Sequence, residues 1–173
     1  MHQFMGQLPN TRINPSRPFQ VCGVDFGGPF IIKENFVRTQ KTPKVYVALF
    51  ICFSTRAVHI ELVSGLSSEC FIAALRRFSS QRGRSSIIHC DNGTNFVGTK
   101  NKIDSMTAKF EKEVSPTIKS FCVTEGIEWK FIPPRAPNFG GIWEAGIKSV
   151  KHHMKRVLGT NIPTYEEMLT LLK

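Results

Sequence analysis

Hydrophobic and polar positions along the chain follow two periods, and the switches between them mark the elements. Residues 1–18 follow neither. They are polar, carry Pro9, Pro15 and Pro18 with Arg12 and Arg17, and read as a linker or extended arm ahead of one domain spanning 19–173. Phe19 to Phe26 (FQVCGVDF) reads as a strand with Val21, Gly23 and Asp25 on one face. Gly27-Gly28-Pro29 is expected to end it, and residues 31–43 predict a charged, exposed excursion. Lys44 to Phe53 is continuously apolar, β-branched or aromatic, the pattern of a central strand buried on both faces. Ser54-Thr55-Arg56 turns the chain. Ala57 to Val63 then alternates as a half-buried antiparallel strand, whose less apolar face holds His59 and Glu61, read as an exposed polar pair.

The period changes at Ser67-Ser68-Glu69, which offers an N-cap and a first-turn acid. Phe71, Ile72, Ala74, Leu75 and Phe78 recur at helical spacing, and Gly83 closes that helix. Ser86 to Cys90 (SIIHC) predicts a short strand delivering Asp91 at its end. Helical stretches are expected at about 99–110 and 116–124, and a strand at Glu128 to Ile132. Pro133, Pro134 and Pro137 with Gly140-Gly141 predict a loop. A long helix should follow from about Ile142 to Leu158, and Pro163 opens a last one. Strands interleaved with helices in this order predict an α/β fold with a mixed sheet, and 173 residues suit a single domain with a real core.

Composition narrows the function. Lys and Arg number 23 against 13 Asp and Glu, a net charge of +10, which points to a polyanionic partner, nucleic acid first. The apolar run Val45 to Phe53 is too short to span a bilayer, which takes about 20 residues, so no membrane partner is expected. The N-terminus, MHQFMGQLPNTR, lacks a signal-peptide core, and the chain is expected not to be secreted. Cys22, Cys52, Cys70, Cys90 and Cys122 form no CxxC motif and read as buried thiols of a reducing compartment.

The chemistry lies in where the acids fall. Asp25 lies at the end of the first strand in GVDFGG, Asp91 at the end of the fourth in HCDNGTNF, and Glu144 in the first turn of the long helix in FGGIWEAGIK. Any one of them alone is as ordinary as a strand-end cap. Three carboxylates on separate elements are what a divalent-metal phosphoryl-transfer site requires, because hard cations take oxygen ligands. On the long helix, at about 100° per residue, Trp143, Ile147, Val150, Met154, Val157 and Leu158 share an apolar arc. Glu144, Lys148, Lys151 and Lys155 share the neighbouring arc, within about 60° of one another. An acid would thus lie on one stripe with three phosphate-binding ammonium groups. Trp143 falls on the apolar arc and reads as core. His89 shares a strand face with Asp91, where it could tune that acid, although a half-buried histidine is the plainer reading.

The segments MGQLPNTR, RPFQVCGVDFGGPF, VYVALFICFSTRAVHIELVSGLSSECFIAALRRF, RGRSSIIHCDNGTNFVG and EWKFIPPRAPNFGGIWEAGIKSVKHHMKRVLG together resemble the integrase core of Bel/Pao-type LTR retrotransposons, relatives of retroviral integrases. The resemblance covers nearly the whole chain. It implies a ribonuclease-H-like fold of five strands, the first three antiparallel and the others parallel. It also implies a D,D,E triad of Asp25, Asp91 and Glu144 holding two Mg²⁺ (or Mn²⁺) ions. Arg135 to Gly141, including Pro137, Asn138, Gly140 and Gly141, matches the mobile loop before the acidic helix. Lys148 and Lys151 match DNA-contacting lysines, and Asn92 and Asn95 match a motif shaping the metal and DNA side of the site.

The implied activity is polynucleotidyl transfer: trimming of a transposon DNA end by water, then attack of the freed 3′-hydroxyl on target DNA. Transposon and target DNA are the expected partners, a homo-oligomer the expected assembly, and the host nucleus or a cytoplasmic pre-integration particle the expected location. Two departures stand out. The stretch between Asp91 and Glu144 is longer than in retroviral integrases, with the extra residues expected within 99–124. No His/Cys zinc module precedes Asp25, and no C-terminal DNA-binding module follows, so the chain is expected to be part of a longer polyprotein. Two other readings compete: a ribonuclease-H-type nuclease, in which Glu69 would complete a four-carboxylate site, and a domesticated, non-catalytic DNA-binding core.

Overall fold

A computed structural model describes residues 13–34, 42–90, 115–131 and 137–173. Five strands form one sheet: β1 (Val21–Ile31), β2 (Lys44–Cys52), β3 (Val58–Val63), β4 (Ile87–Cys90) and β5 (Glu128–Phe131). Four helices flank it: α1 (Ser68–Arg82), α2 (Ser115–Thr124), α3 (Pro137–Leu158) and α4 (Tyr165–Leu171). The strand order is β3-β2-β1-β4-β5. β1, β2 and β3 pair antiparallel, while β4 pairs parallel with β1 and β5 parallel with β4. This is the mixed five-stranded sheet that the resemblance implies.

The alternation of β1 separates two cores. Cys22 and Val24 join Phe50, Phe71, Phe78, Ile118 and Cys122 on the side of α1 and α2. Val21 joins Leu49, Ile51, Trp143 and Ile147 on the side of α3, and Met154 and Met168 extend that side under α4. β2 is not the middle strand but an interior one, between β3 and β1: after Lys44, every residue to Cys52 is buried, which explains its unbroken apolar run, each large side chain stabilising the fold by about 1.5–3 kcal/mol. Phe50 stacks on Phe78 at 4.2 Å between centroids. Ser67 caps α1 by accepting from the Cys70 N–H, and Thr164 with Glu167 forms a capping box at α4. Arg17, at the end of the polar arm, donates to the Arg82 and Arg84 carbonyls at the far end of α1. Among the described residues no helix is long and apolar enough to cross a membrane.

Several expectations change. β1 does not end at Gly27-Gly28-Pro29 but runs on to Ile31. A register shift between Gly27 and Phe30 absorbs one extra residue, so pairing resumes at Phe30 with Val45, and a proline is tolerated at such a bulge. The charged excursion is not wholly exposed, because Ile32 is buried and the Lys33 N–H donates to the Pro163 carbonyl; its residues 35–41 lie outside the described residues. Val157 is off the apolar arc at 64% exposure, while Met154 and Leu158 on either side of it pack on the core.

The largest correction concerns His59 and Glu61, which are buried. α1 lies over their face of β3 and supplies counter-charge. Arg77 donates through Nε to Glu61 Oε2 at 2.6 Å and through Nη2 to the Leu62 carbonyl at 3.0 Å. Arg82 Nε donates to His59 Nδ1 at 3.3 Å, so the imidazole proton lies on Nε2, which donates to Glu61 Oε1 at 3.0 Å.

Candidate active site

The site begins with the pleat of β1. Val21 packs on the α3 side of the sheet, so Gly23, Asp25 and Gly27 share that side, two residues apart. Asp25 pairs with Leu49 across to β2, is half-buried, and accepts the Phe26 N–H through Oδ1 at 2.7 Å. It is flanked on its own face by two residues without side chains, and α3 approaches the sheet through those gaps. A Cβ placed on Gly23 would collide with the six-membered ring of Trp143, meeting Cζ3 at 2.6 Å. One on Gly27 would meet Ile147 Cδ1 at 3.2 Å and Lys151 Cε at 3.9 Å. A Cβ on Gly146, on the helix, would meet Ile51 Cδ1 at 2.5 Å and Leu49 Cδ2 at 2.8 Å. The turn bearing Glu144 therefore packs on the strand segment bearing Asp25, with the Lys151 stem beside Gly27.

β4 brings the second strand. Its parallel register pairs Gly23 with His89 and Val24 with Cys90. Asp91 follows Cys90 directly in the sequence. Asp91 itself, with Asn92 and Asn95, lies outside the described residues. Among the described residues no three His, Cys, Asp or Glu side chains cluster as a metal site. His89 is half-buried, its ring stacked on Phe53 at 4.9 Å. Burial first, and then the Lys130 charge, hold its pKa below the usual histidine value against a weaker pull from Glu128, so it is a neutral imidazole at pH 7.

Helix α3 differs from its expected form at its start. It begins at Pro137, so Pro137, Asn138, Gly140 and Gly141 belong to its first turns rather than to a loop, and Glu144 sits in its third turn rather than its first. Proline is tolerated at the first helical position, where its missing N–H would be unpaired anyway. Gly140 is buried and its absent side chain leaves room for Glu144 Oε1, which a Cβ there would meet at 2.8 Å. Glu144, Lys148, Lys151 and Lys155 are all exposed, while Trp143, Ile147 and Met154 are buried, as the arcs predict. Among the described residues none of the three lysines has an ion-pair partner. Asp25 and Glu144 carry the oxygen donors that a hard divalent cation takes, and the lysines beyond Glu144 are of the type that holds a phosphodiester.

Sequence reasoning placed Trp143 in the core but not its partners. Gly23, read only as part of a strand face, and Phe53, whose ring stacks on the indole at 6.0 Å, complete the packing around it. The signal was present in GVDFGG: glycines flanking an acid on one face of a strand mark a close approach of another element.

The fold is that of a retroviral integrase catalytic core, a ribonuclease-H-like mixed sheet flanked by helices. Similar solved structures include the cryoEM structure of simian T-cell lymphotropic virus intasome in complex with PP2A regulatory subunit B56 gamma, with 16% identity, a TM-score of 0.60, and coverage of 97% of this chain and 52% of that chain. The HTLV-2 integrase catalytic core domain in complex with magnesium matches with 16% identity and a TM-score of 0.50, over 82% of this chain and 73% of that one. The catalytic core domain of BIV integrase matches with 14% identity and a TM-score of 0.51, over 82% and 72%. The chain spans about half the length of the intasome chain it matches. No protein-family model matches the chain, and no curated protein matches it by sequence.

Proposed function

We propose that this chain is the catalytic core of a Bel/Pao-type retrotransposon integrase, which trims transposon DNA ends and joins them to target DNA. The observation that carries the reading is the packing of the Glu144 turn of α3 on the β1 segment bearing Asp25, with Lys151 alongside. The integrase fold supports it, and so does the magnesium held by the HTLV-2 core. Asp25, Asp91 and Glu144 would hold two Mg²⁺ or Mn²⁺ ions. The bound metal would activate the attacking oxygen and stabilise the leaving one. Lys148, Lys151 and Lys155 hold the DNA backbone through its phosphates, with Asn92 and Asn95 contributing beside Asp91. The α3 packing keeps Glu144 at a fixed place relative to β1, so the protein's contribution is positioning and charge stabilisation. Joining two DNA ends calls for at least two such sites, hence a homo-oligomer, acting in the host nucleus or a cytoplasmic particle bound for it.

Glu69, which a ribonuclease H reading would recruit to the metal, instead opens α1. Its own backbone N–H and the Ser67 hydroxyl hold its carboxyl below the usual range, against a slight opposing effect of burial, as in a cap. The test is end trimming and strand joining of labelled DNA with Mg²⁺ or Mn²⁺. Wild type and Glu69→Gln should be active, and Asp25→Asn and Glu144→Gln inactive. Joining that survives both of the latter substitutions, or a wild type that cleaves only RNA in hybrids, would overturn the proposal.

A further inference from the structure

We propose that Gly23 and Trp143 form a positioning contact that sets the Glu144 turn of α3 against Asp25, a role that rests on the proposed strand-transfer site. Trp143 is fully buried, yet among the described residues its Nε1 has no hydrogen-bond partner. A buried tryptophan usually pairs that N–H; here, among the described residues, the contacts that place the ring are contacts of shape. One side of the indole meets the bare backbone of Gly23. Phe53 stacks on the ring with planes 15° apart, and His89 stacks on Phe53 in turn. The ring is thus wedged in a slot that exists only because residue 23 lacks a side chain. Gly27 is a weaker contact, since a Cβ there would meet first the flexible tip of Ile147, at 3.2 Å.

The wedge touches both halves of the site through covalent neighbours. Gly23 lies two residues from Asp25 on the same strand face, about 6.8 Å along β1, and Trp143 precedes Glu144 directly. Carbon atoms rest at about 3.5–4.0 Å. A methyl group at residue 23 would force the indole, and the turn that carries Glu144, away from the sheet by about 1 Å. A shift of that size between groups that must act together can cost about 100-fold in rate. The exposed lysines of α3 would stay on the surface, so DNA binding would be spared.

The test compares wild type, Gly23→Ala, Trp143→Leu and the double variant, which removes the ring atoms that the new methyl would strike. Three quantities are read: joining rate, half-saturating DNA concentration, and the rise in melting temperature on adding Mg²⁺. Gly23→Ala should lose about 100-fold in rate, keep its DNA dependence, and show a smaller Mg²⁺-induced rise. The double variant should recover at least about tenfold in rate, together with the Mg²⁺ response. A Gly23→Ala protein as active as wild type overturns the positioning role. So does a double variant that regains its melting temperature in chelator without regaining the Mg²⁺ response, since Gly23 then serves packing alone. If Gly23→Ala does not fold, Trp143→Leu decides: an unchanged Mg²⁺ response in that variant rejects the role. A wild type that neither joins DNA nor responds to Mg²⁺ or Mn²⁺ rejects the strand-transfer reading itself, an outcome distinct from an active wild type with an indifferent Gly23→Ala.

Discussion

Glu61 keeps its charge at 1% exposure because His59, Arg77 and Lys173 surround it, with Arg77 Nε at 2.6 Å and Lys173 Nζ at 3.8 Å. Burial works against the carboxylate, but the hydrogen bonds from His59 and Arg77 and the charges of Arg77 and Lys173 outweigh it and hold its pKa below the usual glutamate value. A carboxyl depressed on folding stabilises the native state fully above its unfolded pKa of about 4.3, and the gain fades as pH falls through the lower folded value. Glu61→Gln keeps the shape and removes the charge. Breaking a fully buried ion pair costs about 3–5 kcal/mol, but Arg77 is 45% exposed and water replaces part of the interaction. The expected loss at pH 7 is therefore about 2 kcal/mol, or roughly 4–8 °C in melting temperature for a chain of this size. Urea unfolding from pH 7 down to pH 3 should show the two stability curves converging below about pH 4.3. Parallel curves would mean that Glu61 is protonated in the native state. Nothing in AVHIELV announces this cluster, because the cations around it come from α1 and from Lys173, both elsewhere in the chain.

Helix α3 shows how far an element can be read from its residues. The spacing of Trp143, Ile147, Val150 and Met154 fixes its inner face, and the three lysines fall on its exposed side. Its start was not legible, because Pro-Asn-Phe-Gly-Gly has the composition of a loop, yet the helix begins there. The same limit applied to β1, where the alternation placed Asp25 correctly while Gly-Gly-Pro hid a bulge that lets the strand continue. The two glycines of α3 now separate. Gly141 has nothing within 4 Å of a Cβ, so Gly141→Ala should stabilise the helix by about 0.5–1 kcal/mol and leave joining intact. At Gly140 the new methyl would push aside the Glu144 carboxylate and crowd Trp143 Nε1 at 3.4 Å. A flexible side chain yields cheaply, so Gly140→Ala should change stability little while depressing joining at least about tenfold. Melting curves and joining rates of the two variants check this. If Gly141→Ala lowers joining as much as Gly140→Ala without raising stability, the segment acts as a hinge and not as helix.

At the scale of the whole molecule, the charge of +10 is divided by use. Arg17, Arg77 and Arg82 are engaged on the α1 side of the sheet by carbonyls, Glu61 and His59, whereas the α3 lysines are solvated and available to DNA. Each phosphate neutralised contributes about 0.9 to the slope of log affinity against log salt. Lys148→Ala with Lys151→Ala should therefore lower that slope by about 2, alike for unrelated DNA sequences, and an unchanged slope would take α3 out of the interface. The opposite face of the same balance is the concentration of negative charge that a metal site requires. β1 and β4 are parallel neighbours, Val24 pairs with Cys90, and Asp25 and Asp91 each come next in the chain. Two carboxylates about 5–6 Å apart at an effective dielectric of about 20 repel by roughly 3 kcal/mol, less whatever Lys151 offsets. Asp91→Asn removes one charge at constant shape. In chelator at neutral pH the variant should melt at a higher temperature than the wild type, the trade-off expected where function crowds like charges. Mg²⁺ should raise the wild-type melting temperature, because an ion bound only by the folded chain stabilises it by mass action. The variant should gain much less and should join no DNA. A wild type indifferent to Mg²⁺ and Mn²⁺, with Asp91→Asn no more stable in chelator, would mean that the two acids do not converge, and the chain would be left with a basic surface for DNA and no metal chemistry beneath it.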